Sequence, residues 1–424
     1  MANVFDELTW RGLVQDATEG VAEALDRERL TAYIGFDPTA SSLHVGSLLT
    51  VMALARLQRF GHTPIALVGG ATGMIGDPSG KSQERVLQSL EQIAENVVGI
   101  RAQLERFLDF GAGSNRARLV NNADWLEQID LLTFLRDVGK HFTVNFMLQK
   151  ESVSRRLETE EGISYTEFSY LLLQSYDFLT LFDREGCRLQ MGGSDQWGNI
   201  TAGIDLIRKL RGAKAHGLVW PLMKTASGMK FGKTEAGTIW LDPQRTSPFR
   251  FYQFWLNTDD RDVVPHLKVF TYLDQPAIAG LEETVQTAPE RREAPRVLAR
   301  EVTTLVHGAD QTSRAERASA LLFGERITDL TADEVLAVFE DVPSTDVAAH
   351  EFAPDGMAIV DLLVRAQVAP SKSEARRLVQ GGGVYVNNRR VADPQARLSR
   401  TEAIGGRVFV LRKGQKQQFV VRLT

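Results

Sequence analysis

Two short segments carry the residue types that handle phosphate. His44-Val45-Gly46-Ser47 follows a polar turn, Asp37-Pro38-Thr39-Ala40-Ser41-Ser42, and opens a helical pattern running to about Phe60. A helix that starts after a strand offers unpaired N–H groups and a partial positive charge to an anion. His44 can add a side-chain donor, and Gly46 leaves room for a ligand to lie against the helix. The second segment, Lys230-Phe231-Gly232-Lys233-Thr234, sets two lysines three residues apart beside a glycine and a hydroxyl. Such a cationic clamp suits charge developing on a departing pyrophosphate. Alone, His44 could be a satisfied structural histidine and the second segment an exposed charged loop. As a pair, one on the first crossover and one after a late strand, they read as two halves of one polyphosphate site.

A third segment, Gly76-Asp77-Pro78-Ser79-Gly80-Lys81-Ser82, has three residues between its glycines, where the common phosphate-wrapping loop needs four. Gly70-Ala71-Thr72-Gly73 misses the dinucleotide spacing in a similar way. What remains is a glycine- and proline-bearing loop with Lys81 and Arg85, suited to closing over a polyphosphate.

The stretch from Ser164 to Phe178 points to a pocket. Ser164 and Glu167 fit a capping box, so a helix starts there. On it Tyr170, Gln174 and Asp177 fall at i, i+4 and i+7, one face. Phe168, Leu171, Leu172, Leu173 and Phe178 cover most of the remaining circumference. A helix apolar nearly all round is buried, so its polar stripe must face a cavity or find internal partners.

The elements that must position these residues alternate in type. Leu30–Phe36 reads as a strand, His44 to Phe60 as a helix, and Pro64–Gly70 as the next strand. This strand–helix–strand unit implies a parallel sheet with a right-handed crossover. Arg118–Asn122, Arg188–Gly193 and Gly217–Met223 look like further strands, so residues 1–243 form an α/β domain of doubly wound type. After Ser247-Pro248, an N-cap and first-turn pair, helical periodicity dominates. A helical domain is expected over 244–325, a Pro-punctuated acidic linker over 326–356, and a small α/β module over 357–424.

Composition excludes several function classes. The 424 residues are 43% hydrophobic and 24% charged, ordinary for a globular protein. No apolar run reaches the roughly 18 residues that cross a bilayer, and the N-terminus lacks the order of a signal or transit peptide. No membrane association and a cytoplasmic location are the expectations. The single cysteine, Cys187, rules out an intrachain disulfide and reads as a small core residue. The seven histidines are scattered, and no protein-bound transition metal is expected.

Charge is unevenly distributed. Residues 357–424 hold 13 Lys+Arg against 4 Asp+Glu, a net of +9 within a chain of net −5. A basic tail on an acidic body suggests contact with a phosphate backbone. Within it Ser371-Lys-Ser-Glu374 starts a helix with Lys372 and Arg376 on one face and Arg377 beside them. A Val-Tyr-Val strand, an Asn387-Asn388 turn and Arg389-Arg390 follow. This pattern fits backbone contact to structured RNA.

Taken together, Tyr33-Ile-Gly-Phe-Asp37-Pro-Thr39, His44-Val-Gly-Ser47, Gly76-Asp77-Pro-Ser-Gly80, Tyr170…Gln174…Asp177, Gly192-Gly193-Ser-Asp195-Gln196-Trp-Gly-Asn199 and Lys230-Phe-Gly-Lys-Thr234 resemble bacterial tyrosyl-tRNA synthetases almost end to end. The resemblance implies a class I synthetase: a Rossmann-like parallel-sheet catalytic domain, an α-helical anticodon-binding domain and an S4-like RNA-binding module, assembled as a homodimer. It implies activation of L-tyrosine with ATP, accompanied by Mg²⁺, and transfer to the 3′-terminal adenosine of tRNA(Tyr).

By the same resemblance Tyr33 and Asp177 bond the phenolic hydroxyl. Asp77, Tyr170 and Gln174 hold the ammonium, and Gln196 lies near the carboxylate. Asp195, with Gly193, reaches the ATP ribose, and Asp37 and Gly46 belong to the ATP side. Thr39, His44 and Ser47 meet the phosphates, joined by Lys81, Arg85, Lys230, Lys233 and Thr234. Asn122 and Trp125 support the pocket. Ser47 departs from the family's His-Ile-Gly-His, which implies altered nucleotide contacts. Two rivals stay open on the residues alone: an adenylate-forming transferase for another small acid, and a non-catalytic RNA-binding protein on the same scaffold.

Overall fold

The computed structural model describes residues 3–79, 88–160, 162–226, 228, 231–234, 237–322, 331–339, 342–352, 355–414 and 417–424, with the backbone alone at 233–234, 320–322 and 337. The chain groups into two compact units. One joins Met1–Arg245 to Thr258–Leu298, the other joins Thr246–Asn257 to Ala299–Thr424.

The first unit is built on a six-stranded sheet in the order β1-β6-β5-β2-β3-β4. Its strands are β1 (Asp16–Ala17), β2 (Thr31–Phe36), β3 (Thr63–Val68), β4 (Arg118–Asn121), β5 (Cys187–Gly193) and β6 (His216–Trp220). All neighbours run parallel except β1, which lies antiparallel on β6. From β2 the chain builds outward through β3 and β4, then returns to the other side of β2 for β5 and β6. That reversal opens a crevice beyond the carboxyl ends of β2 and β5, where a doubly wound sheet places its ligand.

The strand–helix–strand unit read from sequence is present, with helix α1 at Val45–Arg59 and His44 as its N-cap. Its apolar residues from Leu48 to Leu57 are buried. The other face of the sheet carries α2 (Tyr165–Glu185) and α3 (Trp197–Arg211). Ser164 caps α2 by accepting from the Glu167 amide, and Gly186 ends it at φ +62°. The Glu167 carboxylate forms an ion pair with Arg156 at 2.9 Å, both side chains buried. Gly203 lets α3 approach α2, because a Cβ there would stand 3.1 Å from the Phe178 ring. Cys187 is a buried core thiol, its pKa pushed up to about 12 by burial.

The expected division at 243/244 falls differently. Helix α4 (Asp260–Phe270) packs with the first unit. Two buried guanidiniums explain this, since each needs acceptors that a helix end supplies. Arg11 donates to the carbonyls of Lys268 at 2.6 Å and Leu273 at 2.8 Å. Arg56 of α1 donates to Val269 at 2.6 Å and Thr271 at 2.8 Å. A short antiparallel pair, β7 (Lys233–Thr234) and β8 (Gly237–Thr238), completes the unit.

In the second unit, helix Pro248–Leu256 packs on α5 (Ala309–Leu322), with Gln253 donating to the Ser319 hydroxyl at 2.8 Å. The stretch 326–356, expected as a linker, contains α6 (Ala332–Val338) and β9 (Ser344–Val347). Strand β9 is part of a sheet: it pairs in parallel with β15 (Gln417–Leu423), leaving no free linker at that point. A second short antiparallel pair joins β10 (Met357–Ala358) and β13 (Arg397–Leu398). The five-stranded sheet runs β12-β11-β14-β15-β9, using β11 (Val384–Val386), β12 (Arg389–Val391) and β14 (Val408–Lys413). Asn387 and Asn388, at φ +48° and +59°, make the two-residue turn between β11 and β12. Helices α7 (Ile359–Arg365) and α8 (Lys372–Gln380) cover a core that includes Leu362, Leu363, Val379, Phe409 and Val421.

Candidate active site

A cavity of about 560 Å³ opens at the carboxyl ends of β2 and β5. Its floor is Tyr33 on β2, 1% exposed, with its ring 5.3 Å from that of Phe178. The Tyr33 hydroxyl is buried and has no hydrogen-bond partner among the described residues. Burial, then the charge of Asp177, raise its pKa well above the usual phenol value. It is therefore a neutral donor facing a cavity.

Asp177 lines the same floor from α2 and is 2% exposed. Burial pushes its carboxyl up to about 7, opposed by two donors. These are Trp125 Nε1 at 2.7 Å and Asn122 Nδ2 at 3.0 Å, from the segment following β4. Asn122 is itself fixed by accepting from the Ala71 amide and donating to Thr72 Oγ1. Of the two outcomes open to the polar stripe on α2, a cavity or internal partners, both occur: Tyr170, Gln174 and Asp177 all line the cavity, and Asp177 is also bonded internally.

One turn above the floor lies a polar chain. Gln196 donates to Asp77 Oδ2 at 2.7 Å, Gln174 donates to Gln196 Oε1 at 3.2 Å, and Asn199 donates to Gln174 Oε1 at 3.0 Å. Asp77 also accepts from the Ser79 amide, and the Tyr170 hydroxyl lies 3.4 Å from Asp37. Acceptors crowd this wall, with carboxylates from Asp37, Asp77 and Asp195 all lining the cavity. A wall of this character favours an ammonium group and ribose hydroxyls.

The opposite rim is made by the start of α1. Thr39, His44, Gly46 and Ser47 line the cavity there, with Gly193 and Phe231 also on its edge. The strand segment before Trp240 is stitched to this rim, because the Val45 amide donates to Ile239 O and the Leu241 amide to Leu43 O. The Trp240 ring meets His44 edge-on at 6.1 Å. Lys81, Arg85 and Lys230 lie outside the described residues, and of Lys233 and Thr234 only the backbone, in β7, is described.

Sequence reasoning gave no role to two buried polar residues here, Gln190, which it did not name, and Asn199, which it quoted only as the end of a motif. Gln190, on β5 opposite Tyr33, lines the cavity with a carboxamide oxygen that has no partner among the described residues. It sits among apolar strand residues, and period-two alternation with Arg188 was its only signal. Asn199 lies three residues after Gln196, at helical spacing, and that spacing was a usable signal. In the second unit Lys372, Arg376 and Arg377 are exposed on α8, and Arg389 and Arg390 are exposed on β12.

Among the described residues no group of three or more His, Cys, Asp or Glu is arranged to hold a metal ion, and no helix is long and apolar enough to cross a membrane. The family model described as tRNA synthetases class I (W and Y) matches residues 25–324. The model for the SYY-like C-terminal domain of tyrosine–tRNA ligase matches 334–421. The tyrosine–tRNA ligase of Roseiflexus castenholzii is 56% identical over 423 residues, covering 100% of each chain. That of Geobacillus stearothermophilus is 54% identical over 98% of each. A solved structure, the C-terminally truncated mitochondrial tyrosyl-tRNA synthetase of Aspergillus nidulans, superposes with a TM-score of 0.69 at 32% identity, over 76% of this chain and 95% of that one. On these matches, and on a cavity with a polar floor, an acidic wall and a helix-start rim, the chain belongs to the tyrosine–tRNA ligases, class I synthetases that activate tyrosine with ATP and load it onto tRNA.

Proposed function

We propose that the cavity divides its work between its floor, its wall and its rim. Tyrosine enters phenol first, and its hydroxyl sits between Tyr33 and Asp177. Its ammonium is held by Asp77, Tyr170 and Gln174, and Gln196 lies beside the carboxylate. ATP, brought in with Mg²⁺ held mainly by phosphate oxygens and water, places its ribose at Asp195 and Gly193 and its phosphates along the rim, past Asp37. Thr39, His44, Gly46 and Ser47 form the fixed half of the phosphate site. Lys81, Arg85, Lys230, Lys233 and Thr234 form the cationic half.

The tyrosine carboxylate is already an anion. Its oxygen bonds to the α-phosphorus, the bond to the bridging oxygen of the β-phosphate breaks, and pyrophosphate leaves. No protein nucleophile is needed, so catalysis comes from alignment and from donors aimed at the phosphate in the transition state. A hydroxyl of the 3′-terminal ribose of tRNA(Tyr) then takes the tyrosyl group and releases AMP. The observation that carries this reading is the buried Tyr33–Asp177 floor. A ligand without the phenolic hydroxyl leaves the buried Tyr33 hydroxyl without a partner and takes one donor from Asp177, and an unsatisfied buried polar group costs about 1–3 kcal/mol.

A tyrosine-dependent ATP–pyrophosphate exchange assay tests it. Asp177→Ala is expected to reduce tyrosine use sharply, and unchanged tyrosine kinetics would remove Asp177 from the pocket.

The helices between 244 and 325 are proposed to meet the anticodon and the 357–424 module, S4-like, to hold RNA backbone through Lys372, Arg376, Arg377, Arg389 and Arg390. A cytoplasmic homodimer is the proposed working form. Leu131, Leu132, Leu135, Val144, Leu148, Leu157 and Tyr165 are exposed large apolar residues gathered in one stretch of chain, and a cluster of this kind favours an interface. Sedimentation of Leu132→Asp as a monomer would support it.

A further inference from the structure

Phe231, the second residue of the Lys230–Thr234 segment, is buried against α4. Its ring stacks on Phe270 with centroids 5.2 Å apart and planes 22° apart, and lies 4.8 Å from the His266 ring. His266 and Phe270 are one turn apart on α4, and their rings meet edge-on at 5.8 Å, so the three rings form a closed cluster. Burial lowers the His266 imidazole to about 4, so the cluster is uncharged at neutral pH.

The next residue, Gly232, turns at φ +85° against the start of α1. A Cβ there would stand 3.0 Å from Val45 Cγ2 and 3.1 Å from the Gly46 amide nitrogen. The carboxyl end of the same α4 is gripped by Arg56 of α1, through Val269 O and Thr271 O. One helix therefore touches both the segment that bears the two lysines and the helix that begins at His44.

We propose that α4 is the strut that sets the spacing between the two halves of the phosphate site. His266 and Phe270 are positioning residues that act through Phe231, and Arg56 ties the strut to α1. The inference rests on the reading of Lys230–Thr234 as a phosphate-binding segment. A lysine on a flexible stem stabilises a transition state only if its backbone is held, since misplacement by about 1 Å can cost roughly a hundredfold in rate. His266 and Phe270, neither of which lines the cavity, supply that hold through Phe231.

The test measures the rate constant for adenylate formation in a single turnover, with the dissociation constant for tyrosine as control, in His266→Ala, Phe270→Leu, Phe231→Ala, the double variant Phe231→Ala/His266→Ala and Lys233→Ala. The strut predicts a roughly ten- to hundredfold slower rate in His266→Ala and Phe270→Leu at unchanged tyrosine affinity. His266→Phe, which keeps a ring in place, restores most of the rate. The double variant is no slower than Phe231→Ala, because His266 acts through that ring. Additive losses, or tyrosine affinity falling along with the rate, overturn the strut. A slow Lys233→Ala beside unaffected α4 variants overturns the strut alone. An unaffected Lys233→Ala removes the phosphate reading of the segment and the strut with it.

Discussion

Trp125 Nε1 donates to Asp177 Oδ1 across 2.7 Å, tying the carboxylate at the floor of the cavity to the short helix that follows β4. A hydrogen bond to a charged group contributes about 1.5–3 kcal/mol. Trp125→Phe therefore keeps the packing but removes one of two donors that hold the Asp177 carboxyl down. Tyrosine use should fall by roughly tenfold or more, and the loss should deepen as pH falls, because the carboxyl then protonates at a higher pH. Exchange kinetics from pH 6 to 8 check this. A loss that stays constant across that range would mean that Trp125 acts by bulk alone.

Asp177 also makes stability depend on pH. Its folded pKa, about 7, lies above its ordinary value of 3.8, so the folded chain holds an extra proton between the two. The stability contributed by this group is full below about pH 4 and is lost as pH rises through about 7. Asp177→Asn stays neutral throughout. Relative to the parent it should gain stability on going from pH 5 to pH 8, by on the order of a few kcal/mol. Urea unfolding at the two pH values reads the difference, and an equal gap at both contradicts it.

Gly46 is needed for more than ligand access. A Cβ there would come within 2.8 Å of the His44 ring and 3.6 Å of Phe231 O, so Gly46→Ala must move the ring that the rim presents. Adenylate formation should slow by about ten- to a hundredfold, with tyrosine affinity unchanged because the floor lies elsewhere. Single-turnover rates and equilibrium tyrosine binding separate the two. A matched fall in both would place the damage in the fold.

Arg389 and Arg390 are exposed beside the Asn387-Asn388 turn. Replacing either by alanine should weaken tRNA binding. Each phosphate that loses its arginine should also make the dependence of log affinity on log salt shallower by about 1. Pyrophosphate exchange, which needs no RNA, should not change. An unaltered salt slope would take these arginines off the RNA path.

Much of the site was legible because its signals are local. The helical face of Tyr170, Gln174 and Asp177 needs only a period of 3.6, and the β2–α1–β3 unit only alternation and a turn. Gln190 was missed because a strand buried on both faces reads as an apolar run, and its two-residue alternation with Arg188 is too short a mark to single out one amide. The pairing of β9 with β15 joins Ser344 to Val420, a register set by packing across the chain and invisible to any short window. The attachment of α4 to the first unit was equally hidden. It depends on Arg11 and Arg56 finding carbonyls more than 200 residues away, and in sequence those arginines look like surface charges.

That attachment bears on biosynthesis. The first unit is discontinuous in the chain, with Thr258–Leu298 inserted after a segment that belongs to the second unit. A nascent chain that has emerged only to Arg245 holds the whole parallel sheet, yet two guanidiniums destined for burial still lack their acceptors. Until α4 arrives, the donors of Arg11 and Arg56 that it will engage have only water to accept their hydrogen bonds. Docking of α4 onto the first unit becomes a late event of translation, at a time when Thr246–Asn257 of the second unit has already been synthesised.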